Sequence, residues 1–320
     1  PDGAAALAPA ERMIRTGDDV RVIAHGDFNG LALDGSQRYL FVTGHGVENL
    51  LRFDVADLDA PPLAASAVTG RAQGLAYDAG HGEIFMYRSS DRALVTVDEE
   101  TLEEKRVASA AELSPGDPWV VYDRFTDTVT LASEADIQTG SPFLVLDRQT
   151  GAARDVRDID GGLLALNPSK PILYMSFFRR ARGVLAYDIA SSEIVARGPS
   201  DARMDRLGFD PIANEVLVPS PMESRILRYD PDTLELRGSM RIMFGVRELA
   251  IDTTRKLMLT ASIATGEVAM VDMETRRVVR RWYLGAWLRT IVLSPERGRA
   301  YVSSNGVLYE LRYADAASTR

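Results

Sequence analysis

The feature that most limits how this chain can fold is a period of about 43 residues running through nearly all of it. Short apolar runs, each closed by Asp, Asn or Ser, recur in order. They are Leu31-Ala32-Leu33-Asp34, Leu75-Ala76-Tyr77-Asp78, Val120-Val121-Tyr122-Asp123, Leu164-Ala165-Leu166-Asn167, Leu207-Gly208-Phe209-Asp210, Leu249-Ala250-Ile251-Asp252 and Ile291-Val292-Leu293-Ser294. The closing residues stand 44, 45, 44, 43, 42 and 42 apart. A second set of runs keeps phase with the first and ends at Asp54, Asp98, Asp147, Asp188, Asp230 and Asp272. Four of these follow their first anchor by twenty residues, Asp188 slips by one and Asp147 by four. The larger slip predicts a longer loop around residues 133–141. Two anchors in phase define seven units.

Each unit reads as four short strands, expected in the first unit over residues 29–34, 39–43, 49–55 and 63–69. Asp34-Gly35-Ser36, Asn167-Pro168, Asp210-Pro211, Asp230-Pro231 and Ser294-Pro295 stop strands. The runs are rich in Val, Leu, Ile, Tyr and Phe, as strands buried between packed sheets require. Only residues 4–13 could form a short helix. Four strands per unit of this length predict an all-β, seven-bladed β-propeller of four-stranded antiparallel blades. The seventh unit ends too soon for a fourth strand. An open sheet edge invites aggregation. The strand-like run over residues 19–24 is therefore expected to supply the outer strand of blade seven and close the ring. Residues 1–17 read as a leader or tether, and residues 18–320 as one propeller domain.

Tyr39-Leu40-Phe41-Val42-Thr43 and Arg299-Ala300-Tyr301-Val302-Ser303-Ser304 each follow a Gly, Pro or Ser turn. With these phrases the chain resembles the seven-bladed propellers of the YVTN and lactonase-like superfamily. That resemblance implies a rigid ring with its function on the loops of one face. The superfamily hosts binding proteins and enzymes alike, so fold does not give function.

Composition narrows the chemistry. The net charge of −9 argues against nucleic-acid binding. No apolar run is long enough for a transmembrane helix. There is no Cys, which excludes disulfides, thiolate metal sites and Cys nucleophiles. Histidine is limited to His25, His45 and His81. All but three of the 37 basic residues are Arg, the exceptions being Lys105, Lys170 and Lys256.

Loops leading into the inner strands, and those joining second to third strands, share one face, called the top. The approaches to the inner strands place Arg206, Arg247 and Arg289 at or next to the same position in three adjacent blades, with Arg71 and Arg203 just before it. Such arginines either hold a carboxylate or phosphate, with Asn29 and Gln73 as neutral donors, or pair with Asp205 and Glu248. Phe178, Arg179, Arg180 and Arg182, with Trp119 and Trp287, form a candidate partner surface, because aromatic and Arg residues are enriched at interface hot spots. In the lactonase- or cycloisomerase-like alternative, His25 and Glu248 are the candidates for proton transfer, and His45 in a top loop of the same blade could also face the channel mouth. The recurring Asp at the ends of third strands read as turn-formers. Neighbouring arginines argue against a cation, so neither a metal nor another cofactor is expected.

The leading expectation is a non-enzymatic binding or scaffold protein, periplasmic or extracellular in a bacterium, with a protein partner or small anionic ligand on its top face. The alternative is an enzyme acting on a carboxylated small molecule at the same funnel. The first four residues, Pro1-Asp2-Gly3-Ala4, lack Met. A removed leader, an attached domain or a membrane anchor outside these residues is an expectation that follows.

Overall fold

The first described strand, Val20–His25, pairs antiparallel with the last described strand, Val307–Arg312, and this contact closes a ring. The computed structural model describes residues 19–45, 49–65, 74–113, 118–133, 143–157, 162–178, 183–200 and 202–314. Its strands form seven four-stranded antiparallel sheets, the blades of a β-propeller. The inner strands, in chain order, are Gly30–Leu33, Leu75–Asp78, Trp119–Asp123, Leu163–Leu166, Gly208–Asp210, Val246–Asp252 and Leu288–Ser294. Blades one to six take their other three strands in sequence. Blade seven takes its outer strand from the N-terminal side, one residue later than the sequence predicts. The leader and helix expected over residues 1–17 lie outside the described residues. Among the described residues, no helix is long and apolar enough to cross a membrane.

Burial explains the strand composition. Second strands are covered on both faces by neighbouring blades and are apolar almost throughout, as in Ile172–Ser176, where every residue is buried. Outer strands keep one face in water and alternate, as in Glu104–Ser109. The core lies mainly between blades. Phe41 and Leu50 of blade one pack with Ile84, Met86 and Val95 of blade two. Val20 joins Leu259, Trp282 and Leu311 in the seam of blades six and seven.

The phased aspartates do what the repeat demands of them. Asp98 Oδ1 accepts from the backbone N–H of Glu100 and Thr101, Asp147 Oδ1 from Gln149 and Thr150, and Asp230 Oδ1 from Asp232 and Thr233. First-strand aspartates cap the opposite turn, with Asp34 Oδ1 accepting from Tyr39 N at 2.6 Å. These turns need a left-handed residue four positions on, or three in blade one. Gln37, Gly82, Asp127, Asn214, Lys256 and Gly298 supply it.

Candidate functional site

The inner strands leave a central cavity of about 160 Å3 lined from all seven blades. Its wall is mostly apolar: Leu31, Leu75, Val121, Leu164, Leu207 and Val292. Gly74 gives Trp119 room, because a Cβ there would lie 3.2 Å from Val120 N and 3.4 Å from Trp119 Cε3.

Polar groups concentrate at the top of this channel, around Arg206. Its guanidinium reaches across from blade five and lies 3.8 Å from the Trp119 ring centroid in blade three. Nη1 donates to Glu248 Oε2 in blade six and, at 2.7 Å, to Thr290 Oγ1 in blade seven. Thr290 Oγ1 donates onward to the carbonyl of Asn29 in blade one. One side chain thus ties four blades together, and Thr290 extends the link to a fifth. Beside it, Asp205 Oδ1 accepts from Arg206 N at 2.9 Å and stands 3.7 Å from Arg247 Nε.

Two guanidinium and two carboxylate groups therefore share a largely dry volume. Burial pushes the Asp205 carboxyl up, although Arg247 and Arg206 oppose the shift. Burial pushes Glu248 up likewise, against the pull of Arg206 and Arg247. It pushes the Arg206 guanidinium down, and Glu248 opposes that. Pairing does not use up the cluster's hydrogen-bonding capacity. Arg206 Nε and Nη2, Arg247 Nε, Asn29 Oδ1 and Asp27 Oδ1 are buried with no hydrogen-bond partner among the described residues.

The other candidates lie elsewhere. Arg203 is exposed on the rim, while Met204 beside it is buried. Arg289 turns to Asn305 Oδ1, 2.5 Å from its Nε. The pairing of Leu288–Ser294 with Arg299–Ser304 shifts register between Leu288 and Ile291, and Thr290 faces the cavity instead. Asn29 is fully buried, its Nδ2 lying 3.3 Å from His45 Nε2. His25 ends the outer strand of blade seven, opposite Val307, and is exposed. Phe178 is half-buried. Arg71, Gln73, Arg179, Arg180 and Arg182 lie outside the described residues. Among those that are described, no three acid or histidine side chains are grouped to hold a metal.

A second feature of the top face carries less charge. Trp287 is 56% exposed, Met222 62% and Phe244 47%. Their loops are linked in a row: Gly245 N donates to Pro221 O, Ile263 N to Gly245 O, and Trp287 N to Ile263 O, at 2.9 to 3.1 Å. Trp287 has a φ of +65°, in the left-handed region that a bulky side chain rarely adopts. The other non-glycine residues at positive φ lie in tight turns between strands. Met222 and Phe244 were legible as apolar residues inside turn-forming sequence, Pro221-Met222-Glu223 and Phe244-Gly245. Thr290 carried no comparable signal.

Neither a protein-family model nor a curated protein matches the chain. What the molecule shows of its kind is the seven-bladed propeller itself, an architecture that generally serves binding or scaffolding.

Proposed function

We propose that the protein is a non-enzymatic binding module of the YVTN and lactonase-like propeller group. Its top face, over blades five to seven, holds an apolar segment of a partner protein that also carries acidic residues. The observation behind this reading is Trp287: a large aromatic group held in water by a backbone conformation that costs on the order of 1–3 kcal/mol. Folding gains little from so exposed a side chain, whereas an interface gains an anchor. Met222 and Phe244 extend the anchor along the same rim. The described charges exposed beside them are Arg203, Arg225 and Arg241 against Glu223, an excess of positive charge on a chain of net −9. That excess complements an acidic partner.

Binding is favoured over catalysis because His25 sits on the outer strand and the Glu248 carboxylate is engaged by Arg206. We assign the protein to the periplasm or the extracellular space. A chain without Cys needs no particular redox compartment and is compatible with that placement.

A photo-crosslinking residue at position 287, compared with one at Phe125 on the opposite face, tests the reading in the native host. A discrete protein adduct at 287 that is absent at 125 is expected. No adduct at 287, or the same adducts at both positions, overturns it.

A further inference from the structure

We propose that the turn Asn305-Gly306 of blade seven modifies itself: the Gly306 nitrogen closes on the Asn305 side chain, ammonia leaves, and aspartate and isoaspartate remain, with Arg289 stabilising the charge that develops. The chemistry does not depend on Trp287 acting as an anchor, so either reading can fail without the other.

The chain carries the pair Asn-Gly twice, at Asn29-Gly30 and Asn305-Gly306. A backbone nitrogen reaches the side-chain carbonyl of a preceding Asn most readily when it belongs to glycine, because no Cβ obstructs the approach and the backbone turns freely. The fold treats the two pairs differently. Asn29 is fully buried, a Cβ on Gly30 would lie 2.6 Å from Thr43 Oγ1, and Asn29 Oδ1 has no hydrogen-bond donor among the described residues. Asn305 and Gly306 are both exposed, in the turn joining Arg299–Ser304 to Val307–Arg312. Apart from its chain neighbours, no heavy atom among the described residues lies within 4 Å of where a Cβ on Gly306 would sit, so a cyclic imide has room.

Two side chains meet the reacting atoms. Arg289 Nε donates to Asn305 Oδ1 at 2.5 Å. That guanidinium polarises the amide carbonyl and holds the oxyanion formed when it is attacked. Gly306 N donates to Ser304 Oγ at 3.2 Å, which orients the N–H whose proton has to leave. Ser304 Oγ is itself fixed by Val307 N and Val307 O, both at 2.9 Å.

The reaction balances with water as its one co-reactant. Gly306 N gives up its proton and bonds to Asn305 Cγ, the Cγ–Nδ2 bond breaks, and the nitrogen departs as ammonia with that proton. Water then opens the imide, giving aspartate by attack at Cγ and isoaspartate by attack at the main-chain carbonyl. Either product adds a carboxylate to the turn, and the pairing of Ser304 with Leu288 brings that charge next to Trp287.

Incubation of the folded chain at neutral pH tests the proposal, with mass spectrometry of proteolytic peptides and enzymatic methylation of isoaspartate as readouts. Conversion should occur at Asn305 and not at Asn29. Arg289→Leu should slow it at least about tenfold, the worth of one charge-assisted hydrogen bond, and so should unfolding of the wild type in urea, which detaches Arg289. Should Arg289→Leu fail to fold, the comparison of folded with unfolded wild type decides. Gly306→Ala, which the open space admits, should slow conversion without moving the melting temperature. No conversion at Asn305, equal conversion at Asn29 in the folded chain, or a rate as fast without the Arg289 guanidinium as with it overturns the proposal.

Discussion

Arg206 of blade five and Trp119 of blade three meet across the central channel, with the guanidinium carbon 3.8 Å from the ring centroid. Glu248, Thr290 and Asp205 gather around that contact through hydrogen bonds with Arg206. Arg206 is consequently a structural keystone. Its replacement by Met leaves the Glu248 carboxylate in a dry site without its partner. We expect Arg206→Met to cost about 3–5 kcal/mol, the range for breaking a buried pair from one side. The double variant Arg206→Met with Glu248→Leu should recover most of that loss, since removing both charges is close to neutral. Denaturant unfolding of the wild type and the three variants measures the coupling. Simple addition of the two single effects would count against a keystone role.

Ring closure makes a second prediction. Val20 is buried against Trp282 and Leu311, and Asp19 holds Arg280 at 2.5 Å across the seam. Val20→Asp places an unpaired carboxylate in that seam and should destabilise by about 2–4 kcal/mol. Removal of residues up to 25 uncovers the edge of Val307–Arg312. Light scattering should then show association or aggregation in place of one monodisperse species. A truncated chain that stays monodisperse with an unchanged melting temperature would contradict the seam's role.

The repeated aspartates predict how stability responds to acid. Backbone N–H groups, led by that of Thr150 for Asp147 and that of Thr233 for Asp230, hold both carboxyls down to about 2, from an ordinary 3.8. Their contribution is complete above 3.8 and is lost as pH falls towards 2. Asp147→Asn with Asp230→Asn should flatten the stability profile in that window and leave its shape above pH 5 unaltered. Thermal melts from pH 2 to 7 read it directly, and an identical acid slope in both proteins would refute the assignment.

Trp287 allows fold and function to be separated. Trp287→Gly relieves the left-handed strain but gives the unfolded chain more freedom. The two effects nearly cancel, and stability should stay within about 1 kcal/mol of wild type. The crosslinked partner should nonetheless be lost. A large drop in melting temperature would mean that Trp287 serves packing.

The fold was legible because the periodic aspartates are tied to backbone turns, so their spacing reports blade length directly. The closing strand was legible for a related reason: one unit lacked a strand and one strand lacked a unit. The channel was legible only in part. Spacing brings Arg206, Arg247 and Glu248 to the channel top, but it does not show that Arg206 crosses to blades three and seven. Such a reach depends on side-chain direction over a distance of half the ring. Arg289 shows the limit best. The register shift after Leu288 turns it to Asn305 and sends Thr290 inward, and successive strand residues face opposite sides. His25 illustrates another limit, since a strand of the expected length that runs one residue later carries it to the outer edge of blade seven.

The most direct test of the top-face account is the affinity of the crosslinked partner, expressed and purified, for wild type, Trp287→Ala and Phe125→Ala. Isothermal titration should show Trp287→Ala weakening binding by at least about 2 kcal/mol, or roughly thirtyfold, with Phe125→Ala equal to wild type. Equal affinity of Trp287→Ala and wild type would contradict the account.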